Sequence, residues 1–211
     1  VLAAIVLFDR FTALDVVGPY EVLSSLPGAE VVFAAHMPGP VVNEKGTLRL
    51  TADAALADVL RPDVIVVPGG PGQNAHMGDE ALLGWLRTVD SRSTWTTSVC
   101  TGSLLLASAG LLKGRRATTH WLAMDKLASL GADPATGRVV TDGKYMTAAG
   151  VSAGLDMALT LAGKLAGDAV AQSVQLALEY DPQPPYQAGS PSTAPRAIAD
   201  ALRARRDSIL T

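Results

Sequence analysis

The 211-residue sequence predicts an α/β fold built on a mostly parallel sheet, and two features carry that prediction. Short apolar runs, each followed by a turn signal and then a helical pattern, recur from the start to about residue 180. Those runs are continuous rather than alternating, as strands covered on both faces require. A chain of this length fits a single domain over 1–211, with a core large enough to need no staples.

In chain order, candidate strands lie at 2–8, 31–35, 64–67 and 95–99, each short and partly β-branched or aromatic. Helical patterns occupy 17–25, 80–89, 102–109, 121–130, 153–166 and 168–178. Two hairpins are expected. One pairs 41–42 with 47–51 across a polar turn, and the other pairs 139–141 with 144–147 around Asp142-Gly143. Residues 180–195 are too rich in Pro, Gly, Ser and Gln for regular structure. The remainder, 195–210, is read as an appended C-terminal helix whose Arg203, Arg205 and Arg206 form a solvated face rather than a nucleic-acid patch.

Composition narrows the function classes. A net charge of −3 sets up no field that would attract a phosphate backbone or an anionic membrane. The apolar first eight residues lack a basic leader, and no run approaches the roughly 20 apolar residues of a membrane span. Cys100 is the single cysteine, so neither an intramolecular disulfide nor a cysteine-rich metal site can form. A reducing, cytoplasmic setting is the expectation.

The segment W-T-T-S-V-C-T-G from Trp95 is the most informative. A buried strand runs into Cys100, small residues stand two before and two after it, and a helix begins at once. This is the pattern of a nucleophile elbow with Cys in place of Ser. The helix N-terminus is expected to lower the thiol pKa. A second segment, V-V-P-G-G-P-G from Val66, ends a strand in glycines whose N–H groups, at Gly70 above all, could serve as oxyanion donors. Asp15 follows the first strand, where an N-cap is its ordinary role. In a parallel sheet, however, the loops after different strands gather at one edge, which would bring Asp15, Gly70 and Cys100 together.

On these residues the chain resembles the ThiJ/PfpI superfamily, relatives of class I glutamine amidotransferase domains. L-D-V-V-G-P-Y-E-V-L at 14–23, V-P-G-G at 67–70, V-C-T-G at 99–102, A-T-T-H-W at 117–121 and L-E-Y-D-P-Q-P-P-Y at 178–186 are similar to its isocyanide hydratase branch. The resemblance implies a flavodoxin-like three-layer sandwich, a homodimer, and a cysteine nucleophile with an acidic neighbour. It implies an enzyme without cofactor that hydrates a small-molecule isocyanide to an N-substituted formamide through a Cys100 thioimidate. Asp15 would transfer protons and share one with Cys100, and Thr101 would contribute its N–H and hydroxyl. Candidate pocket walls are Trp121, Tyr20 and Val151. Thr101 stands where other branches carry a histidine after the cysteine, and His120 reads as a capping residue. His36 and His76 show no metal-ligand spacing, so no metal is expected. Glyoxalase-like or amidase-like chemistry at Cys100, or a cysteine redox sensor, are the rival readings.

Overall fold

A computed structural model describes residues 1–210. The chain runs β1 (Leu2–Val6), α1 (Ala13–Ser24), β2 (Glu30–Ala35), β3 (Gly39–Val42), β4 (Arg49–Ala52), β5 (Ala54–Ala55), β6 (Val64–Val67), α2 (Gln73–His76), α3 (Glu80–Asp90), β7 (Trp95–Val99) and α4 (Gly102–Ser108). It continues through β8 (Arg116–Ala117), α5 (Met124–Ser129), β9 (Asp133–Pro134), β10 (Val139–Asp142), β11 (Tyr145–Ala148), α6 (Ala153–Ala166), α7 (Asp168–Ala177), α8 (Arg196–Ala204) and α9 (Arg206–Leu210).

The central sheet has seven strands in the order β10-β11-β7-β6-β1-β2-β5. Every neighbouring pair is parallel except β10 with β11. From β1 the chain steps one way to β2, and from β6 it steps the other way to β7. With right-handed crossovers, α1 and α3 therefore cover opposite faces, giving the three layers expected. The reversal also makes a crevice at the C-terminal ends of β1 and β6, where α/β folds place their sites.

The continuous apolar runs explain the core. Ala4, Ile5, Val64, Ile65 and Val66 are all fully buried, as strands sandwiched between helices must be. Met157 and Leu161 of α6 are buried with them, and each such side chain contributes about 1.5–3 kcal/mol of burial. Beneath the opposite end of the sheet Asp90 collects the Thr96 hydroxyl at 2.6 Å and the Tyr145 hydroxyl at 3.0 Å. Burial and the adjacent Asp90 push the Tyr145 hydroxyl up to about 12.

Several element boundaries differ from the sequence reading for identifiable reasons. Helix α1 begins four residues before the expected 17, because Thr12 supplies the extended turn into it. Pro19 thus lies within the helix, where it leaves the Asp15 carbonyl without a backbone donor. The second hairpin pairs Asp142 with Tyr145, so its turn residues are Gly143 and Lys144 rather than Asp142 and Gly143. Only Gly143 takes positive φ, as a type II′ turn requires at its first central position. The expected helix at 121–130 opens as a 3-10 turn, Trp121–Ala123, before α5. The expected tail helix is broken at Arg205 into α8 and α9. Of its arginines, Arg205 is exposed and Arg203 half-exposed, as a solvated face requires, while Arg203 also pairs with Asp200 and lies over Trp121, and Arg206 pairs with Asp125. No helix among the described residues is long and apolar enough to cross a membrane.

Candidate active site

Cys100 leaves β7 in the left-handed region, with φ 55, a conformation that costs a residue with a Cβ about 1–2 kcal/mol. Its surroundings hold it there. The Cys100 N–H donates to the carbonyls of Ala148 and Ala149 at 3.1 and 2.8 Å, and its own carbonyl accepts the hydroxyls of Thr119 and Ser103 at 3.0 and 3.3 Å. Gly102 is required on the far side of the elbow. A Cβ there would stand 2.1 Å from the Val67 carbonyl oxygen and 2.7 Å from that of Pro68.

The loops after β1, β6 and β7 meet as the topology demands. Asp15 is buried in the first turn of α1, not at its cap, which is Thr12. Its Oδ2 accepts the Gly69 N–H at 2.9 Å, while Oδ1 is buried without a hydrogen-bond partner. A Cβ on Gly69 would sit 2.5 Å from the Thr101 nitrogen and 3.0 Å from Asp15 Oδ2, so the β6 turn approaches both groups as only glycine permits. Gly70 does not have the free N–H expected of an oxyanion donor, because it donates to Thr101 Oγ1 at 3.1 Å. The donors that reach the Cys100 sulfur are instead the N–H groups of Thr101 and Val151 and the Thr101 hydroxyl.

Electrostatics also depart from the expectation of a lowered thiol pKa. Burial pushes the Cys100 thiol up, the charge of Asp15 adds to this, and the Thr101 and Val151 donors only partly oppose it. Helix α4, seven residues long, is too short to dominate. Burial likewise raises Asp15 to about 7, against the Gly69 hydrogen bond and with help from the Glu44 charge. Two negative charges this close are disfavoured, so the buried pair titrates as one coupled unit that carries a single negative charge once its first proton is lost. Glu44 had no signal in the sequence. It reaches the site because Phe11 pairs with Asn43, bringing Glu44 within 2.7 Å of the Thr12 hydroxyl.

A cavity of about 600 Å³ opens beside this pair. Trp121 and Val151 line it, with His120, Met124 and Arg138 on the walls and residues 189–192 of the irregular segment along one side. Neither Cys100 nor Asp15 lines it, but Thr119, Ala149 and Val151, all hydrogen-bonded to Cys100, do. Tyr20, expected as a wall, is elsewhere: its ring packs on Phe33 of β2 at 5.3 Å. His120 behaves as a cap, its Nδ1 accepting the Leu122 N–H at 3.3 Å, and burial lowers its pKa. Arg138 and the Tyr180 hydroxyl both bind Asp156, fastening the start of the irregular segment to α6.

His36 and His76, which share no metal-ligand spacing in the sequence, lie side by side in the fold. Both rings converge on Asp79, at 2.5 and 2.8 Å from its Oδ2. Burial works to raise Asp79, but hydrogen bonds from His76, Leu82 and His36 outweigh it and hold the carboxyl at about 2.

A doubly wound sheet with a strained cysteine elbow and a buried acid at its switch point defines a class of α/β proteins with a cysteine at the turn after a central strand. Within that class, the chain belongs to the DJ-1/PfpI family, whose model matches residues 2–164. It is 48% identical over 199 residues to an isonitrile hydratase of Pseudomonas putida, covering 94% of this chain and 87% of that protein. Among solved structures it is similar to a ThiJ/PfpI family protein from Pseudomonas syringae, with a TM-score of 0.93 and 37% identity over 98% of this chain and 89% of that one. Drosophila melanogaster DJ-1beta is more distant, with a TM-score of 0.77 and 25% identity over 84% of this chain and 97% of that one.

Proposed function

We propose that this protein is a cofactor-independent isocyanide hydratase, converting an organic isocyanide and water to an N-substituted formamide. The observation that carries the reading is a buried carboxyl group beside the thiol, in a chain 48% identical to an isonitrile hydratase across nearly its whole length. An isocyanide carbon must gain both a nucleophile and a proton. A thiol paired with a carboxylate supplies both from one place.

Asp15 takes the Cys100 proton as the sulfur attacks the terminal carbon, then delivers that proton to the same carbon, leaving a thioimidate. Asp15 next takes a proton from water as the hydroxyl adds to this carbon and passes that same proton to the imine nitrogen, which returns Asp15 to the carboxylate. Collapse of the adduct breaks the carbon–sulfur bond, the hydroxyl proton returns to sulfur by way of Asp15, and the formamide leaves. The Thr101 and Val151 N–H groups hold the sulfur while it is anionic, and the Thr101 hydroxyl, fixed by Gly70, orients the water. The organic group rests against Trp121 and Val151.

In the same reading the protein is a homodimer of single-domain chains working in the reducing cytoplasm. Sedimentation of the reduced protein checks the dimer. For the chemistry, formamide is followed from cyclohexyl isocyanide with wild type and Cys100→Ala. Turnover that vanishes in the variant is the expected result. A folded, reduced wild-type protein without turnover would overturn the proposal and direct attention to other electrophiles or to oxidation of the same thiol.

A further inference from the structure

Away from the thiol, His36 meets His76 and Asp79, which stand three residues apart at the link between two helices. His36 is the residue after β2, His76 ends α2, and Asp79 caps α3. One ligand atom from each lies within 4.8 Å of the others. Asp79 divides its labour: Oδ1 accepts the Ala81 and Leu82 N–H groups at 3.1 and 3.3 Å, which fixes the carboxylate, and Oδ2 faces both imidazoles. The His76 ring is braced by Phe8 at 5.3 Å and meets His36 edge-on at 5.6 Å. Two of the three groups are thus held in place by the fold, while His36, at 46% side-chain exposure, closes the cluster from the solvent side.

We propose that His36, His76 and Asp79 form a binding site for a divalent transition metal, with zinc the ion they fit best. Two imidazole nitrogens and one carboxylate oxygen are a borderline donor set that suits zinc, whereas magnesium and calcium want six or more oxygens. Metal–ligand bonds of about 2.0–2.2 Å in a tetrahedron place neighbouring ligand atoms about 3.3 Å apart. The His36–Asp79 separation of 2.5 Å opens to that value by side-chain rotation of the exposed His36, and the His76–Asp79 separation of 2.8 Å by a shift of about 0.5 Å of the His76 ring. The Ala81 and Leu82 donors supply the outer hydrogen bonds that orient a ligating carboxylate.

The fourth position is open to an exogenous ligand. It borders a cavity of about 190 Å³ lined by Phe8, Asp9, Met37, Leu56 and Leu82. The metal would tie β2, α2 and α3 to one point. Helix α2 follows directly from the turn at 69–72, whose N–H groups hold Asp15 and Thr101, so the tie braces that turn from outside without entering the chemistry.

The test uses full-length, tag-free protein stripped with a chelator, then titrated with Zn2+ against a chromophoric zinc chelator. Cys100→Ala runs in parallel, because a thiol can also bind zinc. One Zn2+ per chain in both wild type and Cys100→Ala is expected, with affinity falling at least about tenfold in His36→Gln and in Asp79→Asn. Asparagine keeps the helix cap, so Asp79→Asn should stay folded with a modestly lower metal-free midpoint from the lost carboxylate–imidazole contacts, and melts run beside the titration separate ligation from folding. Cobalt loading should give a visible spectrum without a sulfur charge-transfer band. The proposal is overturned if no stoichiometric zinc binds, or if binding survives His36→Gln and disappears in Cys100→Ala.

Discussion

Replacing Asp15 with asparagine should abolish turnover and stabilise the fold at the same time. Asp15 is fully buried, and its carboxyl is raised from 3.8 to about 7 chiefly by desolvation. A folded-state pKa above the unfolded one means that the native state holds the proton more tightly. Stability is therefore greatest at low pH, declines from about pH 4 as the unfolded chain ionises, and levels off above about pH 7. A displacement of about three pKa units corresponds to about 4 kcal/mol of penalty at pH 8. Asparagine carries no such charge, and its amide oxygen can still accept the Gly69 N–H. The variant should match wild type near pH 3 and exceed it increasingly up to pH 8. Urea melts at pH 3, 5 and 8 read this out. With a slope of about 2 kcal/mol/M, the midpoint gain at pH 8 approaches about 2 M. A variant no more stable than wild type at pH 8 would refute the claim that the fold carries an unfavourable buried charge for the sake of the reaction.

Three further outcomes test the rest of the site. Glu44→Gln keeps an acceptor for the Thr12 hydroxyl but removes a charge that raises Asp15, so the acidic limb of the kcat/KM profile should move to lower pH; an unmoved limb would disconnect Glu44 from the pair. Thr101→Val leaves the buried Gly70 N–H without its acceptor, which should cost about 1–3 kcal/mol in a thermal or urea melt, with reduced kcat. Gly102→Ala forces a methyl against the Val67 and Pro68 carbonyls; this overpacking should cost at least about 1–3 kcal/mol, and a variant with wild-type stability would mean the elbow is looser than described.

The parallel strands were legible because burial on both faces leaves long apolar runs, and 64–67 and 95–99 coincide with β6 and β7. Cys100 was legible because strain on a sharp turn demands small neighbours on both sides. Asp15 was found by position, although the helix it opens was placed too late, since Pro19 looks like a first-turn residue. What the sequence could not convey was pairing across loops. Gly70 looks like a free donor until the Thr101 hydroxyl is seen in front of it. The thiol looks activated by a helix until its burial and the Asp15 charge are included. His76 and Asp79 are local neighbours three residues apart, but His36 joins them only because β2 ends beside the link between α2 and α3.

The family match ends at residue 164, yet one wall of the large cavity is drawn from 189–192. Every group assigned to bond making lies before that limit, locked among buried strands and glycines with little room to vary. The wall beyond it belongs to an irregular surface segment, fastened through Tyr180 to Asp156. In the proposed reading, Trp121 and Val151 share the family-matched stretch with the bond-making groups, while one further wall of the pocket is carried by a separate stretch of the chain. Selection, or a library confined to 180–195, can reshape which organic group is admitted while the nucleophile and its acid go untouched.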